Sequence, residues 1–102
     1  MKIIYTDDSK LNLINIKKFI KIDNPNAVNK FISKLKATIE DLDNFSYKYR
    51  KSIYFKDENI RDMIFNGYTI IYQIDKIKQQ IKILEIFNQN LPKLGRNINE
   101  NN

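Results

Sequence analysis

The side chains in this sequence best suited to chemistry on a polyanion are basic and aromatic, and they crowd into one stretch. Phe45-Ser46-Tyr47-Lys48-Tyr49-Arg50-Lys51-Ser52-Ile53-Tyr54-Phe55-Lys56 interleaves rings with cations. Rings stack on bases while lysine and arginine meet phosphates, so Tyr47 to Lys56 is one candidate surface for nucleic acid. A loop of this make-up can equally tuck its rings under itself and leave its lysines in water. Arg61 is a second candidate. It falls at the end of a run, Ile60 to Phe65, whose alternate residues Met63 and Phe65 are apolar. A guanidinium on such a face is rarely buried without a partner. Either it stacks on Tyr72 and meets a carboxylate, a structural role, or it sits at the sheet end facing a ligand.

Signals for catalysis are sparse. The sequence has no cysteine and no histidine. That removes thiol chemistry, the usual zinc ligand sets and the side chain most used as a general acid or base near neutrality. No glycine-rich phosphate loop is present, and no nucleophile stands beside an evident base. Asp7 and Asp8 suit a helix start better than a metal. Glu40, Asp41 and Asp43 fall near a helix end and are expected in solvent. A metal-free ribonuclease needs none of these motifs, because lysines, arginines and a tyrosine can stabilise charge on a reacting phosphate. Lys51, Lys56, Arg61 and Tyr72 are the residues that would serve. No cofactor and no metal site is expected.

The elements that must position these residues follow from spacing. Lys2 to Thr6 favours a strand. Asp7, Asp8 and Ser9 are N-cap candidates for a helix to about Ile22. Its apolar residues Leu11, Leu13, Ile14, Ile16, Phe19, Ile20 and Ile22 spread around more than one face, which predicts cover on two sides. Asp23-Asn24-Pro25 ends it, with Asn24 placed to cap and Pro25 at the first position of a second helix. Val28, Phe31, Ile32, Leu35, Ile39 and Leu42 fall within an arc of about 100°, with Lys30, Lys34 and Asp41 on the far side. A turn this short predicts an antiparallel helical hairpin.

Periodicity fails from Asn44 to Asn59, which reads as a loop with a short strand around Ile53. Ile60 to Phe65, Asn66-Gly67 and Tyr68 to Ile74 then read as a β-hairpin, because Asn-Gly tolerates the positive φ angles of a type I′ turn. A two-residue turn sets Phe65 opposite Tyr68, Met63 opposite Ile70 and Arg61 opposite Tyr72, all on the face that should meet the helices. Asp75 to Lys78 makes a second turn. Gln80 to Phe87 makes another strand, apolar on both faces and so expected inside the sheet. Residues 92–102 carry too little apolar content to fold back firmly, which sets a domain of 1–91 and a flexible tail of 92–102.

At 102 residues, 42% hydrophobic and 29% charged, the chain suits one globular domain. No apolar run approaches the roughly 20 residues needed to cross a bilayer, and Thr6-Asp7-Asp8 cuts off any leader core after Tyr5. A cytoplasmic location is expected by default. The net charge of +6 suggests a polyanionic partner, nucleic acid or an acidic protein. Lysine, isoleucine and asparagine together supply 48 of 102 residues, however, a bias that an AT-rich genome would also produce.

The order strand, helical hairpin, irregular loop, antiparallel sheet resembles the RelE/ParE toxins. Asp23-Asn24-Pro25-Asn26-Ala27 followed by Phe31, Leu35 and Ile39 looks like that family's second helix. Phe45 to Arg50 falls where the family commonly has a short turn. Ile60-Arg61 through Tyr68-Thr69-Ile70-Ile71-Tyr72-Gln73-Ile74 looks like its arginine-to-tyrosine hairpin, and Ile81 to Asn90 like its last strand and the functional end beyond. The likeness covers roughly residues 2–91. It implies an α+β fold, an N-terminal helical hairpin on a three- to four-stranded, mostly antiparallel sheet. It also implies a growth-inhibiting toxin of a type II toxin–antitoxin system, blocked by a cognate antitoxin.

RelE-like members cleave messenger RNA in the ribosome with basic residues on the middle strands and near the chain end; ParE-like members inhibit DNA gyrase. Thr69 stands where the former place an arginine, Asn90 where a basic residue is expected, and Asn88 where other branches have histidine. Arg61 matches the ParE-like hairpin. The resemblance therefore leans to a ParE-like inhibitor of gyrase or another topoisomerase, more binder than enzyme. Its target or antitoxin contacts would come from Arg50, Arg61, Tyr72, Asn88, Gln89 and Asn90. The alternatives are a ribosome-dependent endonuclease and a non-toxic basic binding module. The implied partners are an antitoxin, and gyrase or the ribosome with its mRNA, with no membrane. The implied assemblies are a homodimer or a toxin–antitoxin hetero-oligomer.

Overall fold

The computed structural model describes residues 1–88. Strand β1 (Lys2–Tyr5) leads into helix α1 (Asp7–Asp23), a 3-10 turn (Pro25–Ala27), helix α2 (Val28–Glu40) and a second 3-10 turn (Asp41–Asp43). Then come β2 (Arg50–Lys51), β3 (Ile60–Phe65), β4 (Tyr68–Asp75) and β5 (Gln80–Asn88). The sheet has five strands in the order β1-β5-β4-β3-β2. β1 runs parallel to β5 and every other neighbour pair is antiparallel. The α+β class is as expected, and the strand count is higher than the three or four anticipated. The strand beyond those four is the two-residue edge β2, which only its pairing with β3 defines.

Thr6, not Asp7, Asp8 or Ser9, caps α1. Its Oγ1 accepts the Ser9 N–H at 3.2 Å and donates to the Ile83 carbonyl at 2.7 Å. Asp7 and Asp8 occupy the first turn instead, where their charge meets the positive end of the helix dipole. Asn24 makes no side-chain cap; its backbone N–H closes α1 on the Ile20 carbonyl at 2.8 Å. Pro25 opens a 3-10 turn, and α2 begins three residues later.

The expected hairpin register is present, with Phe65 opposite Tyr68, Met63 opposite Ile70 and Arg61 opposite Tyr72. Asn66 and Gly67 take φ of 48° and 83°, the positive values a type I′ turn requires. Met63, Tyr68, Ile70 and Tyr72 join Ile32, Leu35 and Ile39 of α2 in one core, and the Phe31 ring meets those of Phe65 and Tyr68. β5 lies inside the sheet, as its two-sided apolar pattern requires. A bulge shifts its register so that Tyr72 faces Ile83 while Ile71 faces Glu85. That extra residue lets Ile83 and Ile86, three apart, both point into the core.

Two expectations are corrected. The short strand in the irregular loop is Arg50–Lys51 rather than around Ile53, because it exists only through pairing with Asp62 and Arg61. Helix α1 is covered on one side, not two: Leu13 and Ile16 are buried while Leu11, Ile14, Phe19 and Ile22 are exposed.

Candidate functional site

The end of the sheet away from the Asn66-Gly67 turn gathers the loop after α2, the start of β3 and the turn between β4 and β5. Arg61 organises it. Its Nε donates to the Glu58 carbonyl at 2.9 Å and its Nη1 to the Tyr49 carbonyl at 3.0 Å. The guanidinium lies 4.8 Å from the centre of the Tyr47 ring, and the Lys76 ammonium is 5.1 Å from the same ring. Tyr47 is held in turn by its hydroxyl, which donates to Asn59 Oδ1 at 2.6 Å. So Arg61 stacks on Tyr47 rather than Tyr72, and it meets two carbonyls rather than a carboxylate. Only two of the five guanidinium N–H groups are used this way, and the residue is half-buried, so it both staples the loop and borders solvent.

Tyr72 lies beneath this cluster with no solvent exposure, its hydroxyl donating to the Ser46 carbonyl at 2.7 Å. Burial raises its pKa well above the ordinary tyrosine value, against a smaller opposing pull from Arg61. A side chain so placed supports the surface from beneath and is not itself exposed on it. Around it the loop rings do not all tuck under. Tyr49 packs on the core, but Phe45, Tyr47, Tyr54 and Phe55 are exposed. Lys48 lies over the Phe45 and Tyr49 rings at 5.9 and 5.4 Å. The result is a mixed basic and aromatic patch at one sheet end.

The opposite face of the sheet is closed at its centre around a buried carboxylate. Asp62, 1% exposed, alternates with Arg61 and so points away from the helices. Its Oδ2 accepts the Ile53 N–H at 3.0 Å and faces Arg50 Nη2 at 3.4 Å. Tyr54 packs edge-on against Phe87, 5.5 Å between ring centres, and Phe87 pairs with the fully buried Thr69. The loop thus lies over Asp62 and Thr69. Asp62 Oδ1 and Thr69 Oγ1 are buried without a hydrogen-bond partner among the described residues.

Of the four residues considered for a ribonuclease, three stand side by side across neighbouring strands, Lys51 opposite Arg61 and Arg61 opposite Tyr72. Lys51 and Lys56 line one hollow of about 240 Å³ with Asp57 and Glu58. Lys51 Nζ lies 3.0 Å from Glu58 Oε1, a contact that holds the Glu58 carboxyl below its usual range. Arg61 is occupied by carbonyls and Tyr72 is buried. The target or antitoxin contacts are spread out. Asn88 pairs with Tyr68 near the hairpin turn, whereas Arg61 pairs with Tyr72. The two positions are about 13 Å apart along β4. Gln89 and Asn90, and the tail 92–102, lie outside the described residues. Sequence reasoning missed Asp62, and it had Tyr47 only as one ring of the Tyr47 to Lys56 surface, not as the partner of Arg61. A lone acid alternating with Arg61 and Met63, four residues after a loop ending in Asp57-Glu58, was the available signal for the first; nothing in the aperiodic loop singled out the second.

A family model described as the ParE toxin of the type II toxin–antitoxin system, parDE, matches residues 3–90. The chain belongs to the ParE toxin family. It is the toxin component of a type II toxin–antitoxin system, with an antitoxin as its partner. Among solved structures it resembles a chain titled "Chromosomal ParDE TA system from P. aeruginosa", with a TM-score of 0.70 at 13% identity. The likeness covers 86% of this chain and 95% of that one, and at such identity it concerns the fold. No curated protein matches the sequence. Among the described residues of this ParE-family chain, no helix is long and apolar enough to cross a membrane.

Proposed function

We propose that this ParE-family toxin arrests growth in the cytoplasm by binding a topoisomerase, DNA gyrase first, without catalysing a reaction on it. The observation that carries this reading is the state of the sheet face opposite the helices. A ribosome-dependent nuclease needs cations converging on a phosphate, whereas here a buried carboxylate, Asp62, and a buried Thr69 hold that face beneath a loop. An anion placed there would meet a buried carboxylate whose cationic partner, Arg50, is already engaged with it. Binding without catalysis requires only an exposed, well-held surface. Arg61, Tyr47 and Lys76 provide one, and Arg50 borders the loop beside them. Asn88, with the Gln89-Asn90 that follows it in sequence, contributes a separate contact at the other end.

The antitoxin is expected to be the small acidic product of a neighbouring reading frame, with a DNA-binding N-terminal half, and the pair to form a hetero-oligomer. Induced expression tests the reading in cells. Growth stops when the chain is made alone and resumes when the neighbouring frame is co-expressed, and plasmid from arrested cells loses negative supercoiling. Messenger-RNA ends accumulating at ribosomal A sites would instead establish the nuclease. Unchanged growth would leave a basic binding module.

A further inference from the structure

Helix α1 stands as an uncovered ridge between two hollows. Leu11, Ile14, Phe19 and Ile22 along it are 55%, 47%, 45% and 81% exposed. On one flank, Ile14, Lys18 and Lys21 border a hollow of about 340 Å³ shared with Val28. On the other, Asn15 and Phe19 border one of about 270 Å³ that reaches Tyr68. At about 100° per residue, Leu11, Asn15, Phe19 and Ile22 fall within an arc of about 80° and form one outward stripe. Asn15 is also the middle residue of the 17 in the helix. Asp7 lies at the start of the first flank and Lys18 and Lys21 toward its end, all three exposed.

We infer that α1 packs antiparallel against α1 of a second copy of this chain, with a two-fold axis passing beside Asn15. The stripe is its own complement about that residue. Reversing the helix there sets Leu11 against Phe19 of the other copy and Asn15 against Asn15, and it brings Asp7 level with the other copy's lysine-bearing last turns. Three features select this occupant. A carboxamide carries both a donor and an acceptor, so two of them meeting on an axis satisfy each other, whereas hydrocarbon would leave both unsatisfied. The helix is acidic in its first turn and basic toward its last, so an antiparallel partner brings opposite charges and opposite dipole ends together. A face about 25 Å long and 10–12 Å across hides roughly 500 Å² per copy, about 1,000 Å² in all, the lower limit for a specific interface. The dimer is therefore a weak one, of micromolar class. The net charge of +6 on each copy opposes it at low salt, but that repulsion is screened over about 8 Å at physiological ionic strength.

Sedimentation equilibrium on the full-length chain, alone and as mixed variants, tests this. The mass of the wild type should rise from that of one chain toward that of two across the micromolar range. Asn15→Asp and Asn15→Lys each set like charges face to face on the axis, and each should weaken association at least about tenfold. Mixed in equal amounts, the two variants should associate at least as tightly as wild type, because opposite charges now meet. Such recovery requires position 15 of one copy to face position 15 of the other. Asn15 is exposed, so the thermal midpoint should barely move in either variant, and a loss of association is not a loss of fold. The flank is tested by Asp7→Lys and Lys21→Glu, which should each weaken the dimer and together restore it. Within one helix those two positions lie about 21 Å apart, so the restoration acts between copies.

A wild-type chain that stays monomeric at about 1 mM would overturn the dimer. So would Asn15 variants that each associate like wild type, since the contact would then lie off α1. A mixture that fails to recover would also overturn it, because α1 would then meet a different surface of the second copy. A monomeric wild type that binds phosphatidylserine vesicles at physiological salt, and loses that binding in Lys21→Glu, would give the face to a lipid surface instead. None of these outcomes bears on the target proposed above.

Discussion

Arg61 holds two backbone carbonyls from different segments, Glu58 and Tyr49, and lies against a third residue, Tyr47. Only a planar fork with several fixed donors can do this at once. Replacing Arg61 with alanine should therefore cost about 1–2 kcal/mol of stability as well as any target affinity. Arg61→Lys should recover little of that stability, since one ammonium cannot reach both carbonyls; urea unfolding of the two variants checks this. The tyrosines make a separate prediction about pH. Burial, helped by the charge of Glu40, pushes Tyr5 from the ordinary 10 up to about 12, and burial also raises Tyr72. In both, the fold favours the neutral, protonated phenol. The stabilisation is complete below pH 10, where unfolded tyrosine is still protonated, and is lost as pH rises toward 12. The thermal midpoint should hold steady to about pH 9.5 and then fall, and it should fall less steeply in Tyr5→Phe.

At the scale of elements, what could be read in advance was whatever local geometry decides. A two-residue Asn-Gly turn admits one register, so the facing pairs from Phe65–Tyr68 to Arg61–Tyr72 followed from spacing alone. The buried stripe of α2 was legible for the same reason. Pairing between distant segments was not. Nothing in Lys2 to Tyr5 announces that it lies parallel to β5, and Arg50–Lys51 is a strand only because β3 is beside it. The two-sided apolar pattern of α1 was read as cover on two sides, whereas the described fold covers one and leaves Leu11, Ile14, Phe19 and Ile22 exposed. Asp62 anchors the loop over the sheet through the Ile53 amide and Arg50. Asp62→Ala should release that loop, cost about 1–2 kcal/mol and speed hydrogen exchange at the Ile53 amide, while leaving the amides of β4 protected. Equal acceleration in β4 would show that Asp62 supports the whole sheet rather than the loop.

Across the whole molecule, the candidate surfaces lie apart, and this explains why the site was harder to read than the fold. Arg61 was found because it interrupts an apolar face, but its ring partner Tyr47 came from an aperiodic loop and its carbonyl partners carry no side-chain signature. Alternation showed which face Tyr72 takes but not that it is fully buried there. A basic, aromatic sheet end lies on one side of this small domain and a lysine-edged helix on another. The decisive measurement is ATP-dependent supercoiling of relaxed plasmid by purified gyrase, with the purified chain added at increasing concentration. Supercoiling should fall to zero with the chain alone and be restored when antitoxin is added in equal amount. Gyrase that continues at full rate, while ribosome-bound messenger RNA is cut by the same preparation, would contradict it.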